Sequence, residues 1–145
     1  MSGYSQTLFW DGRGAGLEQQ AMHPIIDPVE MAFDIPQLLQ RLNSDAAYSA
    51  QFAQVFGPGP ITQQNTAKAL ATFQRTLVTA TRNTGFEQLL RGRPQRMNDE
   101  QLYGLHLFRT KARCMNCHFG PALSDEQFHN VGLSYYGRKY EDLGR

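Results

Sequence analysis

Only two cysteines occur among the 145 residues, which rules out a disulfide-stapled scaffold. Histidine is also scarce. Of the four present, His23, His106 and His129 stand apart from one another, so no second paired cluster completes a four-ligand structural zinc site. Charge of either sign is not in excess: 14 Lys and Arg face 13 Asp and Glu, for a net charge of +1. A nucleic-acid-binding surface therefore has no electrostatic support. The signs are interleaved, as in Arg138, Lys139, Glu141, Asp142 and Arg145, which is the pattern of a solvated face. No apolar run approaches the roughly 20 residues needed to cross a bilayer. No alternating strand pattern extends beyond a few residues, which argues against the strand and helix alternation of thioredoxin-like redox proteins. The length suits one domain or the joined pieces of two.

What is present is concentrated in one place. Both cysteines fall in Cys114-Met115-Asn116-Cys117-His118. This C-x-x-C-H spacing is the attachment sequence of a c-type haem. Two thiols three positions apart on one short turn each form a thioether to a vinyl group of the same porphyrin, and the adjacent His118 supplies the proximal nitrogen to iron. A plain disulfide here would close too small a loop to constrain an unfolded chain much.

The rest of the chain reads as helices joined by long loops. From Trp10 to Pro36, Asp11-Gly12 and the prolines Pro24, Pro28 and Pro36 predict an ordered but irregular loop. Asp34 is placed to cap a helix over about Ile35 to Leu42, with Pro36 in its first turn. Asp45 is placed to cap a second, in which Tyr48, Phe52, Val55 and Phe56 recur at helical spacing. Gly57-Pro58-Gly59-Pro60 stops it. Thr62 and Asn65 form a weakened capping box for a long helix ending near Thr79, with Ala67, Leu70, Phe73, Gln74 and Leu77 on one face. A short helix from Phe86 to Arg91 ends at Gly92. Asn98 or Asp99 caps the next, whose Leu102, Leu105, Leu107 and Phe108 lead to the haem motif. Leu105 and Phe108 are candidates for packing on the porphyrin edge, and equally for ordinary core. The fold class is all-α, with long ordered loops.

The first third of the chain narrows the choice among c-type cytochromes. Phe9-Trp10-Asp11-Gly12-Arg13, Glu18-Gln19-Gln20-Ala21 and Asp27-Pro28-Val29-Glu30-Met31 follow one another at short intervals, and Phe73-Gln74-Arg75-Thr76-Leu77-Val78-Thr79 comes later. With the C-x-x-C-H and Phe128-His129-Asn130-Val131-Gly132-Leu133, this resembles the bacterial di-haem cytochrome c peroxidases, a family that includes the MauG type. The resemblance covers nearly the whole chain. It implies cytochrome c-like haem domains, residues 1–93 being the C-terminal part of the first, peroxidatic domain and 94–145 the N-terminal part of the second, electron-transferring one. It implies that Trp10 lies between two haems and helps pass electrons. Gln20 and Glu30 would be polar residues of the distal pocket over the peroxidatic haem, and Pro24 would line that pocket. Cys114, Cys117 and His118 would hold the electron-transferring haem, with His118 as iron ligand.

The resemblance further implies hydrogen peroxide as substrate, a small cytochrome c or copper protein as electron donor, and a periplasmic location; a homodimer is left open. The family's interdomain calcium would use ligands outside this segment. Chemistry agrees with these roles. Peroxide heterolysis needs a base that takes a proton from one oxygen and returns it to the other, which a carboxylate in a partly dry pocket can do. An uncharged amide such as Gln20 can hydrogen-bond the bound peroxide.

Three features depart from the family pattern. Family members carry two C-x-x-C-H motifs and this chain has one. The sixth ligand of the second haem is expected beyond Arg145, since Met97 and Met115 lie before or inside the motif and Met1, Met22 and Met31 belong to the other domain. Met1 to Gln6 lacks the basic start and apolar centre of a secretory signal. The expectation is an internal piece of a longer peroxidase, inactive alone, with a one-haem electron carrier as the alternative. Lys111, Arg113 and His129 are read as ordinary surface or structural residues.

Overall fold

A computed structural model describes residues 4–78 and 84–129. Among them are six α-helices: α1 (Leu17–Ile26), α2 (Ile35–Ser44), α3 (Ala46–Phe56), α4 (Gln63–Thr76), α5 (Gly85–Leu90) and α6 (Asp99–Arg109). Short 3-10 turns occur at Pro94–Arg96 and Cys114–Asn116. The fold is all-α: among the described residues the one β feature is an isolated bridge between Leu8 and Gly14. The chain divides into two units that meet in sequence at Thr76 and Leu77.

Helix starts follow the predicted caps. The Asp34 carboxylate accepts from Gln37 N at 3.0 Å, and Asp45 accepts from Ala47 N at 2.8 Å and Tyr48 N at 3.1 Å. Each satisfies amides that the first helical turn leaves without partners. Thr62 Oγ1 accepts from Asn65 N at 3.2 Å. Asn98, not Asp99, caps α6. Asn98 accepts from Gln101 N and the Gln101 side chain accepts from Asn98 N, a complete capping box. Thr84 and Glu87 make another at α5. Gly57 ends α3 at φ 89°, a conformation costly for any residue with a Cβ. Thr79, where α4 was expected to end, lies outside the described residues.

Two expectations are corrected. The span from Trp10 to Pro36 is not all loop, because it contains α1. Leu17, Ala21 and Met22 recur at helical spacing and are buried, and this packing outweighs the hydrogen bond lost at Pro24 near the helix end. The face expected for α4 holds at Ala67 but not at its large side chains. Thr66, Ala67 and Ala71 are buried, whereas Phe73 is 61% exposed and Leu77 60% exposed. Small residues let the α1 and α4 backbones approach closely, and the larger side chains flank the seam.

In the unit up to Thr76, α1 packs on α4 and α2 on α3. Leu8, Leu17 and Ala71 form the centre of the core. Asn43 ties α2 to the loop before α4: its Oδ1 accepts from Ile61 N at 2.8 Å and its Nδ2 donates to Ile61 O at 3.0 Å. In the unit from Leu77, α5 packs on the turn at Pro94–Arg96 and α6 on the turn at Cys114–Asn116.

Candidate functional site

The first unit positions the candidate distal residues. Gln20 and Pro24 lie four residues apart on α1, hence on one face. Both line a hollow of about 220 Å³ with Ala21, Leu70, Phe73 and Gln74. The segment carrying Glu30 is laced to the end of α1: Met31 N donates to Pro24 O at 3.0 Å, Phe33 N to Ile25 O at 2.7 Å and Glu30 N to Asp27 O at 3.1 Å. Ala32, at φ 48°, completes the reversal. The Glu30 side chain is exposed. Its neighbour Met31 lines a second hollow of about 570 Å³, walled by Ile25, Phe33, Leu38, Leu42, Phe52 and other apolar residues, with Arg41 the one charged side chain.

Trp10 sits on a tight turn closed by the bridge between Leu8 and Gly14 at 2.9 and 3.1 Å. Phe9, at φ 64°, folds back so that its ring meets His23 edge-on at 5.2 Å and lies under the Arg13 guanidinium at 3.9 Å. Gly14 is required, because a Cβ there would stand 2.9 Å from the Phe9 ring. These contacts fix the turn, and Trp10 is 58% exposed on it.

The second unit carries the haem motif. Cys114 and Cys117 are free thiols, half-buried, on the 3-10 turn and its end. Arg113, at φ 57°, turns the chain out of the α6 terminus into the motif. The His118 Nδ1–H donates to Leu123 O at 3.0 Å, which fixes the tautomer and leaves Nε2 bare for a metal. The Phe108 and His118 rings lie 6.3 Å apart between centroids. Leu105 lines a hollow of about 540 Å³ with Leu89, Leu102, His106, Arg109 and Thr110. Two unpaired thiols at this spacing beside an imidazole with one engaged nitrogen fit a covalently held haem.

Cys117, Asp125 and His129 also bring ligand atoms within 4.8 Å of one another. Thioether formation would consume the Cys117 thiol, so a cation here and an attached haem exclude each other. His129 Nε2 already meets Asp125 at 2.7 Å. Hydrogen bonding from Gln127 N, then from His129, holds the Asp125 carboxyl below its ordinary range. Lys111 and Arg113 are exposed.

Comparison with known proteins decides the family. The model of the di-haem cytochrome c peroxidases matches residues 1–95. The chain belongs to this family. Methylamine utilization protein MauG of Methylophilus methylotrophus is 38% identical over 146 residues, covering 99% of this chain and 42% of that protein. Cytochrome c551 peroxidase of Nitrosomonas europaea is 34% identical, covering 86% of this chain and 36% of its own length. Cytochrome c peroxidase of Escherichia coli is 34% identical, covering 86% of this chain and 26% of its own length. The chain thus spans less than half the length of these relatives. Haem is the cofactor of the family.

Leu123 and Arg41 were not singled out in the sequence, and Gln74 was placed on a helix face without its partner. Leu123 acts through a backbone carbonyl, which has no sequence signature. Arg41 is an ordinary helix residue until the fold sets it beside an apolar hollow. Gln74 had a signal, a polar side chain within an apolar helix face, and the structure places its amide against Gln20 at 3.3 Å.

Proposed function

We propose that the protein to which this chain belongs reduces hydrogen peroxide to two waters, consuming two electrons and two protons. The electrons come one at a time from a small cytochrome c or copper protein. The observation that carries this reading is the shared hollow of Gln20 and Pro24, built on α1 and α4 within the span matched by the family model. Residues 1–93 are assigned to the first haem domain and 94–145 to the second.

In this reading Gln20 hydrogen-bonds the peroxide without changing charge. Glu30 takes the proton from one peroxide oxygen and returns it to the departing oxygen. Its exposure in this chain means that the dry surroundings such a base needs come from outside residues 4–78. Trp10, displayed on its locked turn, lies on the electron path toward the peroxide site. Cys114 and Cys117 would hold the electron-transferring haem and His118 would ligate its iron; a second haem would belong to the whole protein. Bound haem supplies the one-electron redox chemistry that these side chains cannot. His118 keeps its ring orientation through Leu123. We place the protein in the periplasm; among the described residues no helix is long and apolar enough to cross a membrane.

The test is peroxide-dependent oxidation of a reduced cytochrome donor, comparing the two-haem gene product with the purified 145-residue chain. Turnover is expected from the first and none from the second. Oxidation of a protein substrate without peroxide turnover would move the reading to a maturation enzyme, and robust turnover by the 145-residue chain would overturn the two-haem scheme.

A further inference from the structure

Two amides meet along the seam of α1 and α4. Gln74 Nε2 donates to Gln20 Oε1 at 3.3 Å in a part-buried position. Both side chains line the same hollow of about 220 Å³, whose other walls are Ala21, Pro24, Leu70 and Phe73. None of those four side chains carries a hydrogen-bonding group, so within the hollow the Gln20 amide has Gln74 as its side-chain partner, and in this pairing Gln74 is the donor. A primary amide has one acceptor oxygen and one NH2 with two donors. With its oxygen engaged by Gln74, Gln20 has its NH2 left to present to the hollow. The frame is held separately: α1 packs on α4, with Leu17, Ala21 and Met22 buried on the one and Thr66, Ala67 and Ala71 on the other, and Arg75 pairs with Glu18 at 3.1 Å.

We propose that Gln74 is a positioning residue that holds the Gln20 amide with its donors toward the hollow, selecting small ligands that accept hydrogen bonds. The inference rests on the reading of Gln20 as a residue of the peroxide pocket. Its consequence is polarity: the pocket donates to a bound oxygen or halide, and a reversed amide would repel the same atom.

The experiment uses the two-haem protein in its ferric state and fluoride as the probe, followed by the absorbance change on binding. In Gln74→Glu the side chain can only accept when ionised. The Gln20 amide then donates to it and turns its oxygen outward. Fluoride is expected to bind about tenfold more weakly, the scale of one hydrogen bond lost. Gln20→Leu should weaken it to a similar extent, and Gln20→Leu combined with Gln74→Glu should lose nothing further. Gln74→Met, which neither donates nor accepts, should give a smaller loss.

Strict additivity in the double variant would mean that the added charge, not the amide, repels fluoride, and would overturn the proposal. Wild-type affinity in both Gln74→Glu and Gln74→Met would do the same. Coupling between positions 20 and 74 in a wild-type protein that does not turn over peroxide would instead remove the functional reading and leave the positioning role standing.

Discussion

Between Tyr4 and Thr76 the polypeptide buries Leu8, Leu17, Ala21, Met22, Ile61, Ala67 and Ala71, whereas between Thr84 and His129 no apolar side chain among the described residues is buried and the one buried side chain is Gln88. Both regions have well-capped helices, so local propensity does not separate them. They differ in what the helices pack on. The first has a seam of small residues that brings α1 onto α4. In the second, Leu102, Leu105, Leu107 and Phe108 are only half-buried, with the Phe108 ring beside that of His118. A region with no fully buried apolar side chain has little of the main term that offsets chain entropy. A porphyrin joined to Cys114 and Cys117 would bring that area, and in the proposed reading the second region is completed by its cofactor.

The largest expected effect breaks that completion. Replacing Cys114 and Cys117 together by alanine in the two-haem protein should remove one covalent haem, counted by haemochrome absorbance. Amides of α6 from Leu102 to Phe108 should then exchange roughly a hundredfold faster, the effect of losing about 2.7 kcal/mol of local protection. Amides of α4 from Ala67 to Ala71 should be unchanged. An α6 as protected as before would show that polypeptide alone sustains the second region.

The converse change acts on the first region. Ala71 is fully buried at 0% exposure, and Ala71→Leu inserts three carbons into a seam with no room for them. Overpacking of this kind costs about 1–3 kcal/mol. The thermal transition of the first region should fall while the absorbance of the haem in the second stays unchanged. Equal loss in both would mean that the regions unfold as one, and the contrast between them would not hold.

The same contrast explains how much was legible in the sequence. Capping residues are local, so Asp34, Asp45, Thr62 and Asn98 announced the starts of α2, α3, α4 and α6. The haem motif is local too, and the turn at Cys114–Asn116 presents it as expected. The apolar stripe of α4 misled, because periodicity marks apolar residues without saying what covers them. Leu70 and Phe73 line a hollow, and Thr66 and Ala71, less conspicuous in sequence, make the helix seam. Helix α1 was hidden by its one proline: Pro24 reads as a breaker, yet near a helix end the hydrogen bond it forgoes costs little beside the burial of Leu17 and Met22. The partners of Gln20 and His118 were not legible, since Gln74 lies 54 positions from one and Leu123 acts on the other through a carbonyl.

The smallest effect sharpens the comparison within the first region by separating charge from packing. The Glu18 carboxyl is held below its ordinary value of 4.5 by its own backbone N–H at the start of α1 and then by the Arg75 guanidinium at 3.1 Å. A carboxyl whose pKa is depressed on folding stabilises the fold fully above its unfolded value. That contribution is lost as the pH falls through the folded value. The pH dependence of this pair is assigned to Glu18. Glu18→Gln should therefore melt lower than the wild type at neutral pH, and the difference should close as the solution is acidified below 4.5. Both partners are nearly half-exposed, at 46% and 44%, so salt should screen most of the difference, unlike the effect of Ala71→Leu. A difference that persisted at low pH and high salt would mean that Glu18 supports α1 through its packing against α4, and the polar ties across the seam would then be read as consequences of the core.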